Sequence, residues 1–292
     1  MSHSSSSGLT ALLVATSLLA PPALAASGPQ PLPAGAKYVA MGSSYASGPG
    51  VTSSADTPPN RCTRSADNYA HLLARKRGFS LTDASCSGAT TSNLLGPWGE
   101  LPAQVDAVDA DTRLVTITIG GNDLGYVGGL MAASCAELAA KVAASTGKEA
   151  PAAACPRIPP PSEQAYLDLE ARMRNIAAEV RRRAPAARLV FVQYPAVLPP
   201  HGTCAAVPLS PAQADASRRI AMRLAEITDH VAKESGAEVL QTQLLTARHS
   251  ACAEDPWMNG YAQPGAPVRG AIYHPNLEGM TAVAEALDRM LP

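Results

Sequence analysis

A chain of 292 residues with 46% hydrophobic and 16% charged side chains has the composition of a folded protein with a sizeable core, which excludes a disordered or fibrous chain. A formal net charge of -1 supplies no field to hold nucleic acid, and none is expected as a partner. The one tight basic cluster, Arg181-Arg182-Arg183, falls at a predicted helix end, where cations offset the negative pole of the helix dipole.

The first residues read as an export signal, residues 1–25. Leu9 to Ala20 is an apolar run too short to span a bilayer, and Ala23-Leu24-Ala25 has the small-x-small pattern of a cleavage site. His3 is the only potentially positive side chain ahead of it. Residues 26–36, rich in Pro and Gly, form a lead-in, and residues 37–292 are expected to be a single catalytic domain. No other stretch reads as a transmembrane helix. Six cysteines, Cys62, Cys86, Cys135, Cys155, Cys204 and Cys252, point to disulfides in an exported protein, with their pairing left open. A zinc site is the alternative, but no C-x-x-C spacing occurs.

Lys37 to Met41 is the first predicted strand, and it runs into Gly42-Ser43-Ser44. After a polar loop from Asp56 to Arg64, Asn68 to Arg77 reads as a helix ended by Gly78, and Phe79 to Ala84 as the second strand. That strand leads to Cys86-Ser87-Gly88-Ala89-Thr90-Thr91, and a helix is predicted over Pro102 to Val108. Arg113 to Ile119, β-branched and almost continuously apolar, is the clearest central strand, ending in Gly120-Gly121-Asn122-Asp123. From Leu124 to Ser162 the chain is rich in Gly, Ala and Pro, with a helix predicted over Ala132 to Ala144. It is too long for an ordinary connection and reads as a lid or binding wall.

Leu169, Met173, Ile176 and Val180 give the helix Glu163 to Arg183 an apolar stripe, and Arg188 to Tyr194 is the fourth strand. Ser210 caps a helix with Pro211 at its first position, running to about Lys233 with Ile220, Leu224, Ile227 and Val231 facing inward. Ala237 to Gln241 is the fifth strand. An irregular stretch from Thr246 to Ala271 precedes the last helix, Leu277 to Met290, which buries Met280, Val283 and Leu287. Strands alternating with helices predict an α/β fold, a three-layer α/β/α arrangement around a mostly parallel five-stranded sheet. Such sheets carry their sites at the carboxyl ends of the strands.

Ser44, Gly88 and Asn122 all fall just after predicted strands, on that one edge. Singly, each is an ordinary turn or cap residue; together they describe acyl transfer. A serine needs a base within hydrogen-bond reach and donors aimed at the developing oxyanion. Ser44 is the candidate nucleophile. The N–H of Ser44, the N–H of Gly88 and the side-chain amide of Asn122 are candidate oxyanion donors, and His274, just ahead of the last helix, is the candidate base. There is no G-x-S-x-G, G-x-G-x-x-G, P-loop or H-E-x-x-H, so neither a cofactor nor a metal is expected.

Four blocks resemble the SGNH hydrolases, or GDSL esterases and lipases, in their secreted actinobacterial form. Gly42-Ser43-Ser44-Tyr45-x-Ser47-Gly48 is similar to block I, Cys86-Ser87-Gly88-Ala89 to block II, Gly120-Gly121-Asn122-Asp123 to block III and His274-Pro275-Asn276 to the end of block V. The resemblance implies a flavodoxin-like sheet, the roles just given for Ser44, Gly88, Asn122 and His274, and the pairs Cys62–Cys86, Cys135–Cys155 and Cys204–Cys252. It departs from the pattern twice. Ser43 stands where block I has Asp, and Ala271 stands where block V has an Asp before the His.

A catalytic imidazole needs its second nitrogen held; in Ser-His-Asp enzymes, changing the holding Asp to Asn costs about 10⁴-fold in kcat. The expectation is therefore a Ser44–His274 dyad, with the carbonyl of Ala271 or Ile272 orienting the ring, or else a carboxylate such as Glu254 or Asp255. The reading is a secreted, monomeric serine esterase or lipase acting on a small or lipid acyl ester, with Leu130 and Met131 as candidate acyl-pocket residues. The alternatives are a carbohydrate or polyester esterase of the same fold, or an inactive relative that binds lipid or glycan.

Overall fold

The computed structural model describes residues 1–3, 31–147, 155–261 and 270–291. Beyond its first three residues, the predicted signal segment lies outside these residues, as does its cleavage site. The chain divides into two units, Met1–Gln30 and Pro31–Pro292, and everything below concerns the second.

Five strands, β1 (Lys37–Gly42), β2 (Ser80–Asp83), β3 (Thr112–Thr118), β4 (Arg188–Val192) and β5 (Glu238–Leu240), form one sheet in the order β2-β1-β3-β4-β5. Every pairing is parallel. Alternation along β1 divides the core. Val39 and Met41 join Val115, Ile117 and Phe191 on one face, whereas Tyr38 and Ala40 join Leu114, Val190 and Val192 on the other. The first face is covered by α4 (Tyr126–Thr146), α5 (Glu163–Arg183) and α6 (Pro211–Glu234), the second by α2 (Tyr69–Arg77) and α8 (Leu277–Met290). Met280, Val283 and Leu287 of α8 are buried, each contributing about 1.5–3 kcal/mol over exposure.

Short elements complete the chain: α1 (Ser44–Ser47), α3 (Thr91–Leu95), α7 (Thr242–Leu245) and a 3₁₀ turn at Gln104–Ala107. That turn corrects the helix expected over Pro102 to Val108: only its middle four residues are helical, in the tighter 3₁₀ form that short connectors commonly adopt. The helix ends follow local chemistry. Asn68 caps α2 and Gly78 closes it in a left-handed conformation, while Ser210 and Gln213 form a reciprocal capping box with Pro211 at the start of α6. At the end of α5, Arg182 and Arg183 pair with Glu179 and Arg181 donates to the Ala187 and Gly236 carbonyls.

The long connection after β3 is more regular than its composition implies. α4 begins at Tyr126, not Ala132, because Tyr126, Val127 and Leu130 dock into the core despite Gly128 and Gly129. Leu130 is therefore a core residue rather than part of an acyl pocket, and Met131 is exposed. At 21 residues, with an 18-residue window of mean hydropathy 1.3, α4 has the length and composition of a membrane span, which differs from the expectation of no further transmembrane stretch. Its first half instead packs on this fold. Disulfides join Cys62 to Cys86, Cys135 to Cys155 and Cys204 to Cys252.

Candidate active site

The turn that carries Ser44 is fixed by the sheet itself. At Gly42 (φ 140°) an added Cβ would lie 2.3 Å from the Thr118 carbonyl oxygen, so only glycine lets β1 pass the end of β3 this closely. The Gln104 amide brackets Gly42, accepting its N–H at 2.7 Å and donating to its carbonyl at 3.0 Å. The Ser43 N–H donates to the Thr118 carbonyl and the Cys86 N–H to the Gly42 carbonyl, both at 3.0 Å. This ties the ends of β1, β2 and β3 into one unit.

The two adjacent serines then part company. Ser43 is fully buried, with its Oγ 2.6 Å from the Tyr194 hydroxyl. Ser44 opens α1, where a backbone N–H has no acceptor within the helix. Its Oγ lies 2.7 Å from His274 Nε2. Of the two, Ser44 faces the imidazole and Ser43 faces Tyr194.

His274 lies in the loop before α8, whose cap Asn276 also donates to the Pro256 carbonyl. Its Nδ1 is 2.7 Å from the Ile272 carbonyl oxygen. A carbonyl only accepts, so Nδ1 carries the hydrogen and the neutral ring presents an Nε2 lone pair to Ser44. Of the two carbonyls expected, Ile272 meets the ring, while that of Ala271 is engaged by the His274 N–H and Asn259 Nδ2, each at 3.2 Å. Asp255 is beside His249 instead, with its carboxylate 3.5 Å from that ring. Among the described residues, no carboxylate bonds to His274. Burial pulls the imidazole below its ordinary pKa, opposed by the bond to the Ile272 carbonyl.

Gly88 sits at φ 85° in a loop held from several sides. The Cys62–Cys86 disulfide precedes it, and the Ser87 N–H donates to the Cys62 carbonyl at 3.1 Å. Asn122 Nδ2 donates to the Ala89 carbonyl at 2.9 Å, leaving its second amide hydrogen uncommitted by this bond. Asp123 accepts the Thr91 N–H at 3.1 Å and the Thr91 hydroxyl at 2.5 Å. The segments carrying Gly88 and Asn122 are thus tied to each other.

Sequence reasoning missed the residues that do the holding: Gln104, Asp123, Tyr194 and Tyr45. The Tyr45 ring packs between Tyr194 and His274, with centroids 4.3 and 4.8 Å away. Tyr45 and Asp123 had a signal, as the residue after Ser44 in block I and the last residue of block III. Two cavities lie off the dyad. One of about 460 Å³ is bounded by Met222 and Leu244, and one of about 400 Å³ by Trp98 and Gln104. Also apart from it, Glu170, His230 and Glu234 could offer metal ligands on α5 and α6, although Arg174 already pairs with both glutamates, at 2.5 and 2.6 Å.

A parallel α/β sheet with a serine–histidine pair at the carboxyl ends of its strands defines the frame of a serine hydrolase. The profile of the GDSL-like Lipase/Acylhydrolase family matches residues 40–282, and the chain belongs to this family, the SGNH hydrolases of actinobacterial type; it is a carboxylic ester hydrolase. It is 30% identical over 273 residues to a lipase of Streptomyces rimosus, covering 91% of this chain and 92% of the relative. Among solved structures it is similar to a phospholipase A1 from Streptomyces albidoflavus (25% identity, TM-score 0.67, covering 88% of this chain and 99% of the other). It is also similar to an extracellular lipase from Streptomyces rimosus (29% identity, TM-score 0.67, covering 87% and 98%).

Proposed function

We propose that this chain is a secreted esterase that hydrolyses acyl-lipid esters through an acyl-enzyme on Ser44, with His274 as general base and acid. The observation that carries the reading is the pair of 2.7 Å contacts at His274, Nε2 to Ser44 Oγ and Nδ1 to the Ile272 carbonyl. In the first step Oγ bonds to the ester carbonyl carbon as its proton passes to Nε2. The N–H groups of Ser44 and Gly88 and the Asn122 amide take the negative charge on the carbonyl oxygen. Collapse breaks the bond to the alcohol oxygen, which leaves with the proton from Nε2. Water, deprotonated by the same nitrogen, then releases the acid.

Lipid esters are favoured over sugar acetates by the relatives, a lipase and a phospholipase A1. Export is supported by the apolar leader, by three disulfides and by the extracellular relative. The test compares Ser44→Ala with Ser43→Ala on p-nitrophenyl esters of increasing chain length. Ser44→Ala is expected to lose about 10⁴-fold or more in kcat, and Ser43→Ala to stay within about tenfold, the size of one lost hydrogen bond. An unchanged rate in Ser44→Ala would overturn the assignment, and a preference for acetate over longer acyl chains would overturn the lipid reading.

A further inference from the structure

The base has no carboxylate behind it among the described residues, so other groups must set its ring. The acceptor Ile272 and the base are separated by one residue, Tyr273, whose φ of 59° lies in the left-handed region that bulky side chains rarely adopt. This conformation turns the Ile272 carbonyl back onto Nδ1. Tyr273 is fully buried and is gripped at both ends. Its hydroxyl meets Ser134 Oγ of α4 at 2.5 Å, and its carbonyl accepts the Tyr45 hydroxyl.

Tyr45 follows the nucleophile directly, 228 residues before its acceptor. Its ring lies tilted against the His274 ring while its single hydroxyl proton is spent on the Tyr273 carbonyl. One side chain therefore spans the two halves of the dyad. Burial pushes the Tyr45 phenol well up from its ordinary pKa, so it remains a donor throughout the working range.

We propose that Tyr45 is a positioning residue of the reaction: by holding the Tyr273 carbonyl in its left-handed turn, its hydroxyl keeps the Ile272 carbonyl on His274 Nδ1 and so fixes the ring tautomer that a carboxylate fixes in Ser-His-Asp enzymes. Ser134 braces the same turn from α4. The inference rests on the Ser44–His274 reading. It assigns to a neutral hydroxyl–carbonyl strut the orienting work that the missing carboxylate at position 271 leaves undone.

The test is Tyr45→Phe, which keeps the ring and deletes the hydroxyl. Steady-state kinetics on a soluble p-nitrophenyl ester are paired with ¹⁵N spectra of histidine-labelled protein. The chain holds six histidines, and His274 is identified by the signal lost in His274→Gln. Native protein is expected to show the Nδ1–H tautomer. In Tyr45→Phe the shifts move toward a tautomer mixture and kcat falls about 10- to 100-fold, short of the about 10⁴-fold of a wrong-tautomer triad, while KM stays within about twofold. Ser134→Ala shifts both readouts the same way by less. A folded Tyr45→Phe with native kcat and native ¹⁵N shifts overturns the proposal, as does a kcat loss with the tautomer unchanged. The dyad is tested separately: if Ser44→Ala and His274→Ala stay active, that reading falls, whereas the ¹⁵N shifts of Tyr45→Phe still report whether the strut holds the ring.

Discussion

The turn carrying Ser44 and the loop carrying His274 hold their side chains 2.7 Å apart by opposite means. The turn is an extension of the sheet, with Gly42 and Ser43 bonded through the backbone to Thr118 and Cys86 at the ends of the neighbouring strands. The base loop has no strand beneath it. It is anchored by the isolated Met258–Pro275 bridge, by Asn259 and Asn276, and by the hydroxyls of Tyr45 and, through Tyr273, Ser134. The nucleophile's place is thus a property of the fold, and the base's place is a property of particular side chains.

The largest effect should come from breaking the pair that joins the two regions. If turn and loop form one catalytic unit, Ser44→Ala, His274→Ala and the double variant should lose nearly the same kcat, on the order of 10⁶-fold, because residues that act together are not additive. Single-turnover rates on a p-nitrophenyl ester measure this. Losses that multiply in the double variant would mean that the regions contribute separately.

A smaller change separates them. Gly42→Ala places a methyl 2.3 Å from the Thr118 carbonyl at a φ of 140°. Backbone strain and overpacking together should cost about 4 kcal/mol of stability, read as a lower urea midpoint. Tyr45→Phe on the loop side should instead cost activity at nearly native stability. If Gly42→Ala unfolds at the native midpoint, the sheet does not define the turn as tightly as its backbone bonds imply.

The same contrast decides what could be read from the sequence. Ser44, Gly88 and Asn122 were legible because each follows a strand whose apolar run and glycine punctuation are local signals. All five strands were found, within two residues at most ends. His274 was legible only by its place before a capped helix and by family resemblance. The choice of Ile272 over Ala271 depended on the left-handed Tyr273, which no local pattern announces in a bulky residue. Gln104, Tyr194 and Tyr45 reach partners 62, 151 and 228 residues away, and periodicity carries no information over such distances. The sequence predicts α4 only from Ala132; Gly128 and Gly129 are poor helix formers, and tertiary packing secures the helix across them.

The last and smallest effect tests the electrostatic difference between a carbonyl and a carboxylate behind the base. The proposed reaction needs neutral His274, so activity is expected to fall as pH drops through its pKa. Burial disfavours the imidazolium and lowers that pKa, while the Ile272 carbonyl opposes the shift without reversing it. The ring beside it is that of Tyr45, whose phenol is raised by burial and hence uncharged near neutrality. The acid limb of kcat/KM should therefore lie below the ordinary imidazole value of about 6.5. It should also move little between low and high salt, since among the described residues no charged side chain bonds to the ring. A carboxylate on Nδ1 would favour imidazolium and push the limb the other way. A limb at or above about 6.5 that falls on adding salt would show a carboxylate reaching the base, and the contrast between a sheet-held nucleophile and a base held by neutral side chains would fail on its second half.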